Sequence, residues 1–423
     1  MRVILTSLGY AGDVYPFFAL AQALKLRGHH PTLLLDPRFR ELAAELEIDF
    51  FPLQSPEQRR RVGTAAVLSR SSLKNRRSGA GMLRLWFELM LPNVPILLKT
   101  LDDLCRSCKP DWIVYHTAAI GAPWVCRRAG IRCAAATLIP KAWLDYNRGD
   151  VHGVAAPDES PAERRARCLS RLVRPLIRTF SDRTLNRIAA RCGYPPLRDV
   201  FCRQFLDNDL NLGLWSPTLR EALPHDPTRG AICGFTWFDG AAAHPQRSAR
   251  LREFLDDGSP PIVFTLGTGI VAVAGNFYEL AAEACRRLGR RGLLLTGSSR
   301  NAPRRLPPGV QAFEYVPLSQ VLPRGCLTVH HGGIGTTGQA LRAGKPMLVI
   351  PFVHDQFDNA RLLRRTGASL TLDRAGLSVS ALTRYLEKLL DHSGVAERAA
   401  RIGAAVNRED GAARAVTLLE NPA

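Results

Sequence analysis

The chain reads as α/β, with two doubly wound, Rossmann-like domains facing a central cleft. Three observations carry that expectation. At 423 residues the chain is longer than one hydrophobic core normally serves. Short apolar runs alternate with glycine turns and helical patterns over residues 2–35 and again from 261 to 350, the pattern of parallel strands joined by helices. Between these halves, Ser216 to Gly240 collects Pro217, Pro224, Pro227 and several glycines, which marks a linker and sets a boundary at 218/219.

Taken in order, Arg2 to Leu8 is a buried-strand pattern, and the loop Gly9-Tyr-Ala-Gly-Asp-Val-Tyr-Pro16 leads into a helix from Phe17 to Arg27 that ends at Gly28. Thr32 to Leu35 is a second strand. The loop is neither G-x-G-x-x-G nor G-x-x-x-x-G-K-[ST], so dinucleotide and P-loop readings lose their main support. Asp13 lies after the carboxyl end of the first strand, where it can cap the helix or face a crevice and take a proton from a hydroxyl. Eight basic residues and no acidic one fall between Arg59 and Arg84, followed by the apolar Met82 to Leu91. That stretch is either a solvated loop before a core helix or a cationic lid that rests on anionic lipid. Trp112 to Tyr115 is a strand with His116 at its carboxyl end, and Thr137 to Pro140 closes another apolar segment. Residues 163–191 form an amphipathic helix pair with Arg167, Arg171, Arg174 and Arg178 on one face, either solvated or set against membrane phosphates. Leu210 to Trp215 is the last strand before the linker.

The second half opens with the strand Pro261–Leu266, turns at Gly267-Thr-Gly269 and enters a helix from Phe277 to Leu288. Gly292–Thr296 and Gly309–Phe313 are further strands. The densest signal follows. Leu327, Val329 and their neighbours are a short apolar strand, His330-His-Gly-Gly-Ile-Gly335 is a turn, and Thr336 to Ala343 is a helix closed by Gly344. Three glycines in four residues, flanked by His331, Thr336 and Thr337, suit a diphosphate. Amide donors, hydroxyls and an imidazole N–H would all point where negative charge sits. The next strand, Met347–Ile350, ends at a loop carrying His354, Asp355, Gln356, Asp358 and Asn359, which offers acceptors to sugar-like hydroxyls. A tight βα turn and a helix cap would explain either piece alone. Their order and proximity in one α/β unit favour a shared crevice.

Formal net charge is +19, which suits nucleic acid, anionic lipid or an anionic substrate. No nucleic-acid signature or interleaved aromatic pattern appears, so nucleic acid is not an expected partner. Ten cysteines and no secretory signal favour reduced thiols, and the lone Cys105-x-x-Cys108 lacks the second pair that zinc needs. No apolar run reaches membrane-spanning length, so a cytoplasmic protein is expected, with peripheral contact on the inner membrane face through the basic segments.

The pair His330-His-Gly-Gly-x-Gly-Thr336 and Pro351-Phe-x-x-Asp-Gln356 resembles the donor-binding signature of family 1 nucleotide-sugar glycosyltransferases of the GT-B fold. The resemblance runs almost end to end. Within the family it looks closest to the rhamnolipid rhamnosyltransferase chain and to sterol and macrolide glycosyltransferases. It implies an acceptor-binding domain over 1–218, a linker and donor-binding domain over 219–405, and a final helix within 406–423 that crosses back. It also implies inverting transfer of a hexose or deoxyhexose from a UDP- or dTDP-sugar to a hydrophobic hydroxylated acceptor, with a hydroxyacyl lipid favoured. Asp13 replaces the histidine base of many relatives in the matching loop, beside Gly12. By carry-over His331, Gly333, Gly335, Thr336 and Thr337 hold diphosphate, Thr268 adds a phosphate contact, Val316 holds the base, Gln339 faces ribose, and Asp355 with Gln356 hold sugar hydroxyls. His116 is a candidate beside Asp13. The nucleotide sugar is a co-substrate, and neither cofactor nor metal is expected, in keeping with the lack of an Asp-x-Asp motif in a donor loop. A nucleotide-sugar epimerase and a non-catalytic basic lipid- or nucleic-acid-binding protein are the alternatives.

Overall fold

The computed structural model describes residues 1–55, 57–58, 91–143, 176, 179–200, 208–240 and 245–422. The basic stretch Arg59 to Arg84 and the arginines at 167, 171, 174 and 178 lie outside the described residues. Among the described residues, no helix is long and apolar enough to cross a membrane.

Two parallel sheets form the framework. The first contains β1 (Arg2–Thr6), β2 (His30–Leu35), β3 (Asp49–Pro52), β4 (Trp112–His116), β5 (Arg132–Thr137), β6 (Leu210–Gly213) and β7 (Gly230–Ile232), in spatial order 3-2-1-4-5-6-7. The second contains β8 (Ile262–Thr265), β9 (Gly292–Leu295), β10 (Val310–Phe313), β11 (Leu327–His330), β12 (Met347–Val349) and β13 (Ser369–Thr371), in order 10-9-8-11-12-13. The described strands of the first sheet are near-continuously apolar because helices cover both faces of a parallel sheet: Val3, Ile4 and Leu5 are at most 1% exposed. Each sheet reverses its strand order once, between β1 and β4 and between β8 and β11. Such reversals open the crevices in which α/β proteins bind ligands.

Two features differ from the sequence reading. Helix Ala11–Leu26 begins six residues before Phe17, so Gly12, Asp13 and Pro16 lie inside it. Glycines and a proline masked its start. Pro16 has no N–H to give the turn before it, and at the helix start Asp13 accepts the Tyr10 amide at 2.9 Å. Strand β7 lies inside the stretch read as linker and extends the first sheet past residue 218, because three residues among prolines and glycines leave no periodicity to detect.

The helix Gly411–Glu420 lies against the first domain, with Ala412, Ala415, Val416 and Leu419 packed among Phe17, Leu20 and Leu24. Arg27 clamps it, donating to Thr417 Oγ1 and Glu420 Oε2 at 2.8 Å each.

Candidate active site

Register aligns the loops of each half. Thr6 sits opposite Leu34 and Tyr115, so the turns after β1, β2 and β4 emerge together and bring Asp13, Arg38 and His116 to one edge. In the second sheet His330 sits opposite Thr265 and Val349, which groups the turns at 267–270, 331–336 and 352–356.

Asp13 is the third residue of its helix, and its carboxylate folds back onto the Tyr10 amide. Only glycine fits at position 9: φ is +137°, and a Cβ would lie 2.1 Å from Asp13 Oδ2. Capping, the plainer of the two roles open to Asp13, is therefore present. It does not occupy the group fully, since the second carboxylate oxygen has no bond to the cap. Burial pushes the Asp13 carboxyl up, while His116, the Tyr10 amide and Arg38 pull it down. His116 is 6% exposed with its ring edge-on to Phe17, and burial holds its imidazole below the usual value, against the pull of Asp13. Its Nδ1 has no hydrogen-bond partner among the described residues.

On the facing side, the helix Ile334–Ala343 starts at Gly333, and the His331 ring lies over that start. A Cβ on Gly333 would fall 2.3 Å from His331 Nε2, and one on Gly267 would fall 2.6 Å from Cε1. Two glycines thus make the slot that holds the ring. Burial lowers His331 to about 4, so at neutral pH it is an uncharged imidazole able to donate one N–H. The Thr337 hydroxyl is fully buried and has no partner among the described residues. Free helix amides, an imidazole N–H and an orphan hydroxyl are the kinds of donor that can bind an anion.

Asn359 couples the loops that follow β11 and β12, donating to Gly332 O at 2.9 Å and to Asp355 Oδ2 at 2.8 Å. Asp355 is pushed up to about 7, first by burial and next by the Asp13 carboxylate across the cleft. Gln356 turns its side-chain oxygen into its own loop, accepting from Phe352 N at 2.9 Å and Val353 N at 3.1 Å. Only its amide nitrogen is left to reach outward.

A cleft of about 390 Å³ runs between the halves. Gly12, Thr268, Val316, Gly335, Thr336 and Gln339 line it. Asp13, His116, His331, Gly333, Thr337, Asp355 and Gln356 are not on its wall; they lie beside or behind it. The sequence reading missed other parts of the site. Phe235, Trp237 and Phe238 line the cleft from the linker, where three aromatic residues in four were the available signal. Lys141 Nζ donates to Asp358 Oδ2 at 2.6 Å, an ion pair joining the two halves that no local pattern announces. Among the described residues no group of three or more His, Cys, Asp or Glu side chains could hold a metal. Cys105 and Cys108 are free thiols.

Comparison with known proteins agrees with this geometry. Residues 3–90 match the glycosyltransferase family 28 N-terminal domain, and residues 293–417 match the C-terminal domain described as erythromycin biosynthesis protein CIII-like. The chain is 28% identical to O-mycaminosyltylonolide 6-deoxyallosyltransferase of Streptomyces fradiae, over 99% of this chain and 97% of that one. It is 26% identical to a sterol 3-beta-glucosyltransferase of Arabidopsis thaliana, over 98% of this chain and 64% of that one. Among solved structures, the spinosyn rhamnosyltransferase SpnG complexed with thymidine diphosphate superimposes with a TM-score of 0.66 at 19% identity, covering 100% of each chain. The chain belongs to the GT-B glycosyltransferases, with a family 28 N-terminal domain and an erythromycin CIII-like C-terminal domain.

Proposed function

We propose that this enzyme moves a hexose or deoxyhexose from a UDP- or dTDP-sugar to a hydroxyl of a hydrophobic acceptor, with inversion and without a metal. The observation that carries the reading is the approach of the two half-sites. A Cβ on Gly335, in the first turn of the donor helix, would lie 3.9 Å from Gly12 Cα, next to Asp13. An anion bound at that helix start and a hydroxyl beside Asp13 are then neighbours, as single displacement requires.

Asp13 takes the acceptor proton as the acceptor oxygen bonds to the anomeric carbon. The bond from that carbon to the β-phosphate oxygen breaks, and its electron pair leaves with the nucleoside diphosphate. Developing charge on the diphosphate falls on the amides of Gly335 and Thr336, the Thr337 hydroxyl and the His331 N–H, which are in place before the reaction. Thr268 closes over the phosphates, Val316 meets the base, and Gln339 meets the ribose. Asp355 and the Gln356 amide hold sugar hydroxyls, with Gly333 keeping the approach open. His116, buried behind Asp13, acts on the carboxylate through its electrostatic field. The aromatic linker residues favour an apolar acceptor. The names of the relatives support a sterol or macrolide, and the motif resemblance supports a hydroxyacyl lipid. The basic stretches support peripheral contact with anionic membrane.

The test is mass spectrometry of a reaction containing purified protein, EDTA, UDP- and dTDP-sugars, and pooled sterol, macrolide and hydroxyacyl-lipid acceptors. One acceptor gaining the mass of one sugar is the expected result. A donor that isomerises with no conjugate formed would replace this reading with epimerisation.

A further inference from the structure

Arg38 belongs to none of the roles above, yet it touches the segment that seats Asp13. It stands in the turn Pro37–Phe39 just after β2, and β2 runs parallel to β1 with Leu34 opposite Thr6. That turn therefore lies against Gly9 and Tyr10. Arg38 Nη2 donates to the Gly9 carbonyl. Its guanidinium carbon lies 4.8 Å from the ring centre of Phe39 and 5.9 Å from that of Tyr10. Asp36 anchors the turn, accepting the Arg38 amide at 3.0 Å and lying 3.7 Å from Nε.

The Gly9 carbonyl and the Tyr10 amide belong to one peptide group. Arg38 holds its oxygen end, and its N–H end holds Asp13 Oδ2 at 2.9 Å. Rotation of this peptide would aim a carbonyl at the carboxylate and expel it. With φ of +137°, Gly9 gives that peptide more freedom than any other residue would. A charged donor on the oxygen also polarises the group and strengthens the bond its N–H makes.

We infer that Arg38 is a positioning residue for Asp13, locking the Gly9–Tyr10 peptide so that its N–H aims the carboxylate. This rests on the reading of Asp13 as the base. Among the described residues four groups face Asp13: Arg38 after β2, His116 at the end of β4, Asp355 from the second domain, and Tyr10 at its own helix start. Burial lowers the His116 imidazole, whereas Arg38 keeps its charge at every working pH; both pull the Asp13 carboxyl down. Burial raises the Asp13 carboxyl and Arg38 opposes it. Removing Arg38 moves the carboxyl up, and activity that needs the ionised form is then lost at a higher pH.

The experiment compares Arg38→Gln, Arg38→Lys and wild type in kcat, donor KM and the pH dependence of kcat/KM, with Asp13→Asn alongside. Arg38→Gln should lower kcat about tenfold, leave donor KM within about twofold, and move the acid limb up by about half a unit or more. Arg38→Lys, which keeps the charge, should recover part of both. Should Arg38→Gln not fold, Arg38→Met keeps the packing on Phe39 and carries the same comparison. The same displacement can be read without turnover from the Asp13 carboxyl 13C resonance, identified by its loss in Asp13→Asn. An acid limb and a resonance that titrate as in wild type would overturn the inference, as would a loss of activity that follows a lowered melting temperature alone. If Asp13→Asn keeps full turnover, the base assignment falls first and this inference with it. If Asp13→Asn is inactive while the Arg38 variants titrate like wild type, only this inference falls.

Discussion

Gly333→Ala isolates the slot that holds His331. The backbone tolerates the change, since Gly333 has φ −63° and ψ 140°, open to any residue. The added methyl would stand 2.3 Å from His331 Nε2, 2.9 Å from Cε1 and 3.2 Å from Cδ2, so the imidazole must leave its place. Two stability terms follow. Alanine is a poorer helix cap than glycine, about 0.5–1 kcal/mol, and a crowded site costs about 1–3 kcal/mol unless the ring swings away. Swinging away removes one preorganised donor from the leaving diphosphate, worth about 10²–10³ in kcat. The variant should therefore melt only a few degrees lower yet lose about a hundredfold in turnover. A double-mutant cycle with His331→Ala sharpens the assay. If the methyl acts by displacing the ring, it does little further harm once the ring is gone. Multiplicative losses in the double variant, or turnover of Gly333→Ala within about twofold of wild type, would refute the slot argument.

Three further outcomes are expected. Asp13→Asn should lower kcat by about 10²–10⁴ while thymidine or uridine diphosphate still binds by calorimetry, because the amide oxygen can still accept the Tyr10 N–H. Lys141→Ala should cost about 1 kcal/mol or less in stability but raise donor KM severalfold and make it less sensitive to salt, because the lost pair joins the two halves. His331 is lowered to about 4 and the fully buried His330 to about 3, both by burial. Both are neutral when folded, so the stability they permit is full above about pH 6.5 and is lost as pH falls toward 4 and below. Denaturant midpoints should drop steeply across that window, and His331→Gln should flatten the drop.

The glycine turn of the second domain was legible because its signals are local. Strand, glycine turn, helix and Gly344 stop follow one another within twenty residues, and the structure has the helix at Ile334–Ala343 with Gly344 at φ +65°. The first domain was harder to read. Glycine and proline in residues 9–16 spell a loop, but the helix begins at Ala11 because Asp13 caps it, a side-chain bond that periodicity does not encode. Gln356 was read as facing sugar, yet its oxygen is committed to two amides of its own loop, which only the turn geometry reveals. Contacts across long stretches of chain were invisible for the same reason. Lys141 meets Asp358 and Arg38 meets Gly9 through the alignment of strand ends, and neither pair leaves a mark on neighbouring sequence.

The most direct test of single displacement across the cleft is the anomeric configuration of the product. With an α-linked nucleotide sugar, proton NMR of the purified conjugate should show the large C1 coupling of a β-glucoside-type linkage, as attack from the Asp13 side opposite the departing diphosphate requires. Retention of the α configuration would contradict the account.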